Sequence, residues 1–188
     1  MPMTGKLFVV SGPSGAGKGT LLARVIPELG DIALTVSATT RKPRKGERDG
    51  VQYYFLSEEK FDALISNDGL LEWATVHGAH YGTLRSEVES YRKVGKDVIL
   101  EIDPQGAEQI RAEDASALLI FVAPPDLLTL KQRLIGRDSE APDEIERRLA
   151  AACKEMAYIP EYDIVIINDD LDAAAGQLLQ FMRSARHT

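Results

Sequence analysis

The 188-residue chain contains a single cysteine, Cys153. One cysteine rules out an internal disulfide framework and fits a reducing compartment. Cys153 falls in the helical pattern "IERRLAAACKEMA", where packing is its expected role. Long apolar runs are missing too: no stretch approaches the about 20 residues of a membrane span. The first apolar run, "LFVVS", runs straight into glycines and is too short for a signal peptide. The expectation is a cytoplasmic protein with no membrane partner. Positive charge is scarce as well. The 22 Lys+Arg face 29 Asp+Glu, for a formal net charge of −7 and a pI near 5.0. A long polyanion feels the whole field of a protein, so nucleic acid is excluded as a partner. Internal repeats and low-complexity tracts are absent.

Against that acidic background one stretch stands out. "TTRKPRKGERDG" carries Arg41, Lys42, Arg44, Lys45 and Arg48. Pro43 and Gly46 make it a turn-rich connection. Charges so crowded repel one another unless an anion visits, and a small phosphorylated ligand feels only this local field. A solvated charged loop is the alternative reading.

Hydrophobic content of 44 % is ordinary for a soluble domain, and the length allows one sizeable core. Buried-strand candidates are 6–10, 32–37, 97–102, 117–122 and 163–168. Helical patterns cover 17–28, 84–94, 104–112, 126–137, 142–157 and 171–186. Continuous apolar strands alternating with helices predict an α/β fold, a parallel sheet covered by helices. The rhythm breaks between 38 and 83, where the basic loop, "QYYFL", a helix over 57–67 and "LLEWATV" suggest a small α+β insert. A second irregular patch, "LIGRDSEAPDEI", joins two later helices.

Directly after the first strand comes "GPSGAGKG", Gly12 to Gly19. Glycines at this spacing let consecutive backbone N–H groups turn onto an anion, and the following helix adds the positive end of its dipole. Gly12, Pro13, Ser14, Gly15, Ala16, Gly17, Lys18, Gly19 and Thr20 are therefore expected to cradle phosphate groups, with Lys18 reaching the β- and γ-phosphates. The position after the lysine is usually Ser or Thr, whose hydroxyl meets Mg²⁺. Here it is Gly19, with Thr20 next. Either Thr20 substitutes, or phosphates and water hold the metal, so light protein ligation is expected. The strand "VILEID" delivers Glu101 and Asp103 to the end where ligands gather in open parallel sheets. There they can orient metal-bound water or a second substrate. "DPQG" matches the Asp-x-x-Gly of GTP-hydrolysing switches, but the guanine-reading Asn-Lys-x-Asp has no counterpart. A kinase needs an acceptor pocket, which the 38–83 insert can supply.

Over nearly its whole length the chain resembles guanylate kinases. The resemblance rests on "SGPSGAGKGT", "VSATTRKPRKGERDGVQYYF", "LEWATVHGAHYGT", "LEIDPQGA", "FVAPP", "ERRLAAA" and "INDD", in that order. It implies one guanylate-kinase-like domain over 1–188. The core would be 1–36, 84–132 and 150–188, with a GMP-binding insert at about 37–83 and a lid at about 133–149. The activity implied is Mg²⁺-dependent transfer of the ATP γ-phosphoryl group to GMP, giving ADP and GDP. Arg41 and Arg44 would grip the acceptor phosphate, the guanidinium fork suiting its oxygens. Tyr53 and Tyr81 would add hydroxyls. Glu72 would accept from the guanine N1–H and 2-amino group, with Ser37 and Thr83 on the base and Asp103 nearby. The catalytic set implied is Lys18, Arg133, Arg137 and Arg148, with Asn168 near the adenine. Thr20 and Glu101 are the metal candidates, through water. Rivals on the same scaffold are a non-catalytic interaction domain and a kinase for another small molecule, such as a ribose bisphosphate. The oligomeric state is left open.

Overall fold

The computed structural model of the protein describes residues 5–76, 78–135 and 142–186. In chain order the elements are β1 (Leu7–Ser11), α1 (Lys18–Leu29), β2 (Ile32–Leu34), β3 (Ala38–Thr39), β4 (Tyr54–Phe55), α2 (Glu58–Ser66), β5 (Leu70–Val76) and β6 (Ala79–Leu84). There follow α3 (Arg85–Lys93), β7 (Asp97–Glu101), α4 (Pro104–Glu113), β8 (Leu118–Ala123), α5 (Leu127–Ile135), α6 (Pro142–Met156), β9 (Ile164–Ile167) and α7 (Leu171–Arg186). The chain is α/β, as its alternation of apolar strands and helices predicts. Among the described residues no helix is long and apolar enough to cross a membrane.

Two compact units divide the chain. One comprises the residues up to Phe8 with Ile32–Ala117, the other Val9–Asp31 with the residues from Leu118 onward. In the first unit β2 pairs with β7 in parallel, Ile32 opposite Asp97. Val98, Ile99 and Leu100 are fully buried, so an unbroken apolar run marks a strand covered on both faces. β2 differs: Ile32 and Ala33 are half-buried and Leu34 is exposed, as on a sheet edge.

The same unit holds a four-stranded sheet in the order β4-β3-β6-β5. Strands β3 and β4 run parallel, while β6 runs antiparallel to both β3 and β5. Its small core gathers Ala38, Phe61 and Leu70, with Leu56, Leu64 and Leu84 against them. Helix α2 starts where Ser57 accepts from the Lys60 amide, with Glu58 and Glu59 in the first turn complementing its dipole. The apolar segment 32–37, expected as one strand, ends at Leu34, and the chain re-enters a different sheet at Ala38. Thr35 still donates its amide to Ile99, so the apolar character outlasts the ladder by a residue. Strand β6 was not among the expected strands. It carries Gly82 and only one β-branched residue, Thr83, and its place is set by pairing with β3 and β5.

In the second unit β8 lies beside β1 and pairs in parallel with β9, Ile120 opposite Ile164. Its core contains Phe121, Val122, Leu130 and Leu178. Arg183 and Arg186 in the last turn of α7 donate to the Glu28 and Leu29 carbonyls at the end of α1. They satisfy carbonyls that a helix terminus leaves open.

Candidate functional site

The phosphate loop belongs to the second unit. Gly12, Gly15 and Gly17 all have positive φ, at 141°, 89° and 91°. Two of them are also required by space. A Cβ on Gly12 would sit 2.0 Å from the Val122 carbonyl oxygen, and one on Gly17 would sit 2.4 Å from Asn168 Nδ2. Gly17 caps α1 in the left-handed conformation without any side-chain hydrogen bond, and the first turn holds no acidic residue. The N-terminal amides of α1 thus meet no competing protein anion from their own helix, which suits a phosphate. Lys18 Nζ bends back onto the Gly12 and Pro13 carbonyls.

Asn168 is buried and fastens the loop from beneath. Its Nδ2 donates to the Ala16 carbonyl at 2.8 Å, and its backbone N–H to Ala123. Arg133 donates to the Asn168 carbonyl at 2.9 Å. Arg148 Nη1 lies 3.5 Å from Ser14 Oγ, and its Nε 3.6 Å from Glu144. Two of the expected arginines are therefore gathered at this loop. Arg137, with positions 136–141 of the expected lid, lies outside the described residues. Thr20 is exposed on the first turn of α1, and Gly19 beside it leaves that face open.

The expected acceptor residues belong to the first unit, where several segments supply them. Arg41 forms a forked pair with Glu47, Nη1 to Oε2 at 3.0 Å and Nη2 to Oε1 at 2.9 Å. Its guanidinium carbon lies 5.2 Å from the centre of the Tyr53 ring and 5.8 Å from that of Phe55. Glu47 also accepts from the Arg44 amide at 2.7 Å. Donating to Glu47 raises the Arg41 pKa further, against the lowering by burial, and Tyr81 adds to the rise. Glu47 is missing from the sequence-based set, although it is the single acidic side chain between Arg41 and Arg48. The Arg44 side chain is exposed, with no hydrogen bond or ion pair among the described residues. The loop thus sets one guanidinium braced by Glu47, that of Arg41, beside the exposed Arg44 and Arg48. Tyr53 and Tyr81 meet edge to face at 5.8 Å, and burial raises the Tyr53 pKa, with Tyr81 and Glu101 adding to it.

On the same sheet Glu72 and Thr83 sit opposite each other in β5 and β6. Thr83 Oγ1 donates to Glu72 Oε1 at 2.6 Å, and both residues are buried, Glu72 with only 3 % exposure. Burial pushes the Glu72 carboxyl up to about 7, with Thr83 pulling down and Asp103 pushing up. Thr83 holds the buried carboxyl through its backbone as well as its hydroxyl, but desolvation still outweighs both and penalises the anion. Asp103 spends Oδ1 on the Gln105 and Gly106 amides as the N-cap of α4. Ser37 is half-buried, its carbonyl accepting from Tyr54. Glu101, at the end of β7, is half-buried as well.

A glycine loop between a parallel strand and a helix, held by a buried asparagine, defines a phosphate-loop nucleotide-binding protein of the α/β class. The family described as guanylate kinase matches residues 4–185. The chain belongs to this guanylate kinase family. It is 45 % identical to the guanylate kinase of Dechloromonas aromatica over 183 residues, covering 97 % of this chain and 91 % of that one. It is 49 % identical to the guanylate kinase of Streptomyces kasugaensis over 177 residues, covering 94 % and 86 %. The crystal structure of guanylate kinase from Anaplasma phagocytophilum superposes with a TM-score of 0.79 at 32 % identity, covering 97 % of this chain and 86 % of that one.

Proposed function

We propose that this chain transfers the γ-phosphoryl group of ATP to GMP, yielding ADP and GDP, in the cytoplasm and in the service of purine nucleotide supply. The buried Glu72–Thr83 pair, on the sheet that also carries Tyr81, is the observation that carries the reading. A carboxylate 3 % exposed, and penalised by desolvation when ionised, is matched by the N1–H and 2-amino group of guanine. Adenine offers neither on that edge, so binding it would leave Glu72 desolvated and unpaired. Sites built on such hydrogen bonds discriminate by about 10⁴ or more. Ser37 and Asp103 complete the base pocket. Arg41, Arg44, Tyr53 and Tyr81 hold the acceptor phosphate, with residues 37–83 as the acceptor insert.

ATP takes the Gly12–Thr20 loop and Asn168. Lys18, Arg133, Arg137 and Arg148 neutralise the charge that spreads over the moving phosphoryl group, and 133–149 acts as the lid. An anionic oxygen of the GMP phosphate attacks the γ-phosphorus. The bond from that phosphorus to the β–γ bridging oxygen breaks, and ADP leaves with the electron pair. The nucleophile is already ionised, so neither a general base nor a covalent enzyme intermediate is required. Thr20 and Glu101 offer the hard oxygen donors that Mg²⁺ prefers. They fit a metal held mainly by phosphates and water, which supplies charge neutralisation on the triphosphate. The test is incubation with MgATP and GMP, AMP, CMP or UMP in turn, following ADP and nucleoside diphosphate. Rapid transfer to GMP alone is expected; equal transfer to AMP would overturn the base assignment.

A further inference from the structure

Gly106 has no conformational reason to be glycine. It lies in the first turn of α4 and is not among the residues with positive φ. Glycine is also less favourable than alanine within a helix. Space supplies the reason. A Cβ at this position would sit 2.3 Å from Glu72 Oε2 and 3.0 Å from its carboxyl carbon. It would also meet Ile102 Cδ1 at 3.2 Å, so the Cβ itself is hemmed in between the carboxyl and that side chain.

One turn further along α4, Gln109 makes a second contact with the same strand. Its Nε2 donates to the Trp73 carbonyl at 2.7 Å, and its Oε1 accepts from the Trp73 amide at 3.1 Å. β5 is the outer strand of its sheet, and this amide clasp takes the place of a neighbouring strand at the residue after Glu72. Across β5, Gly82 leaves room in the other direction: a Cβ there would fall 2.8 Å from the Glu72 carbonyl oxygen. Gly106 thus faces the Glu72 carboxyl, while Gln109 and Gly82 meet the backbone of the strand that carries it.

We infer that the Gly106–Gln109 face of α4 positions the Glu72 carboxylate, and so sets selectivity for the 2-amino-6-oxo edge of the acceptor base. Gly106 acts by leaving the seat open and Gln109 by holding the strand that carries the carboxylate. Neither touches the nucleotide in this account; both are positioning residues. The inference rests on the guanine reading of Glu72 given above.

The test uses the full chain and kcat and KM for GMP, IMP and ATP, with IMP chosen because it lacks the 2-amino group. Gly106→Ala is expected to raise KM for GMP tenfold or more while KM for ATP stays within twofold. Shortening the acid should return the lost space. The double variant Gly106→Ala/Glu72→Asp is therefore expected to recover at least threefold in KM for GMP over Gly106→Ala alone. Gln109→Leu, at an exposed position, should raise KM for GMP about threefold and narrow the preference for GMP over IMP. A folded Gly106→Ala enzyme whose KM for GMP stays within twofold of the parent overturns the inference. So does an equal rise in KM for GMP and ATP with no recovery in the double variant. Should Gly106→Ala not fold, an unchanged GMP-to-IMP preference in Gln109→Leu overturns it alone. A parent enzyme that transfers nothing to GMP removes the functional reading and the inference together; an active parent with indifferent variants removes only the inference.

Discussion

On the proposed reading, the phosphate loop and the acceptor sheet would recognise their ligands by opposite means. The loop relies on backbone N–H groups exposed by glycine and on a helix terminus. The acceptor sheet relies on side chains: a forked Arg41–Glu47 pair, two tyrosines, and a carboxyl only 3 % exposed. Backbone donors carry no net charge, and the loop adds to them the single half-buried cation of Lys18. A buried carboxylate is the more selective instrument and the less stable one, because desolvation penalises it until a donor-rich ligand arrives. General affinity for phosphate suits the first kind of site; choosing one base among several suits the second.

Removing the one long side chain of the loop tests that contrast most severely. Lys18→Ala is expected to lower kcat by two to three orders of magnitude, the usual scale for one preorganised charge-stabilising donor. KM for GMP should change little, and steady-state kinetics separates the two. A parallel loss of GMP affinity would blur the division of labour between the two regions.

The acceptor side offers the next largest effect, in stability. Below about pH 4.5 Glu72 is protonated in both folded and unfolded chains and contributes no pH dependence. Between its ordinary value of 4.5 and about 7 the folded state binds more protons than the unfolded one, so stability falls as pH rises. Above 7 the full penalty is present, on the order of 3–4 kcal/mol for a rise from 4.5 to about 7 at roughly 1.4 kcal/mol per pKa unit. Glu72→Gln should therefore be more stable than the parent at pH 8 and no more stable at pH 4.5, as read by urea unfolding, while losing its preference for GMP over AMP. Equal effects at both pH values would mean that burial does not penalise the carboxylate.

Arg44→Ala sharpens the comparison within the basic loop. An exposed guanidinium whose side chain makes no hydrogen bond or ion pair among the described residues is available to a phosphate, and a charged hydrogen bond contributes about 1.5–3 kcal/mol. The variant is expected to raise KM for GMP between about tenfold and a hundredfold and to slow turnover. Thermal stability should stay near that of the parent, since the Arg41–Glu47 brace remains. The smallest change is expected from Thr20→Val, which should keep phosphoryl transfer within about threefold at saturating Mg²⁺, as lightly held metal requires. Loss of transfer with nucleotide still bound would make Thr20 a direct ligand.

Legibility followed contiguity. Gly12 to Thr20 lie within nine consecutive positions after an apolar strand, so spacing alone implied a phosphate cradle. Asn168 and the arginines Arg133, Arg137 and Arg148, far along the chain, had to be supplied by the resemblance. The acceptor residues are scattered from 37 to 103 on strands that pair out of order, and β3 and β6 carry too little apolar periodicity to announce themselves. The basic loop was visible as charge, but its division into a braced Arg41 and an open Arg44 depends on where Glu47 folds back.

By itself the sequence determined the class of fold, the phosphate loop and the membership of a family, because each of these is written in local patterns of apolar residues, glycines and charge. The tertiary structure alone decided that Glu72 is buried against Thr83, that Gly106 opens the space for it, and that Gln109 clasps its strand. Those contacts join residues more than ten positions apart, and their strength comes from desolvation, which exists only once the chain has closed around them.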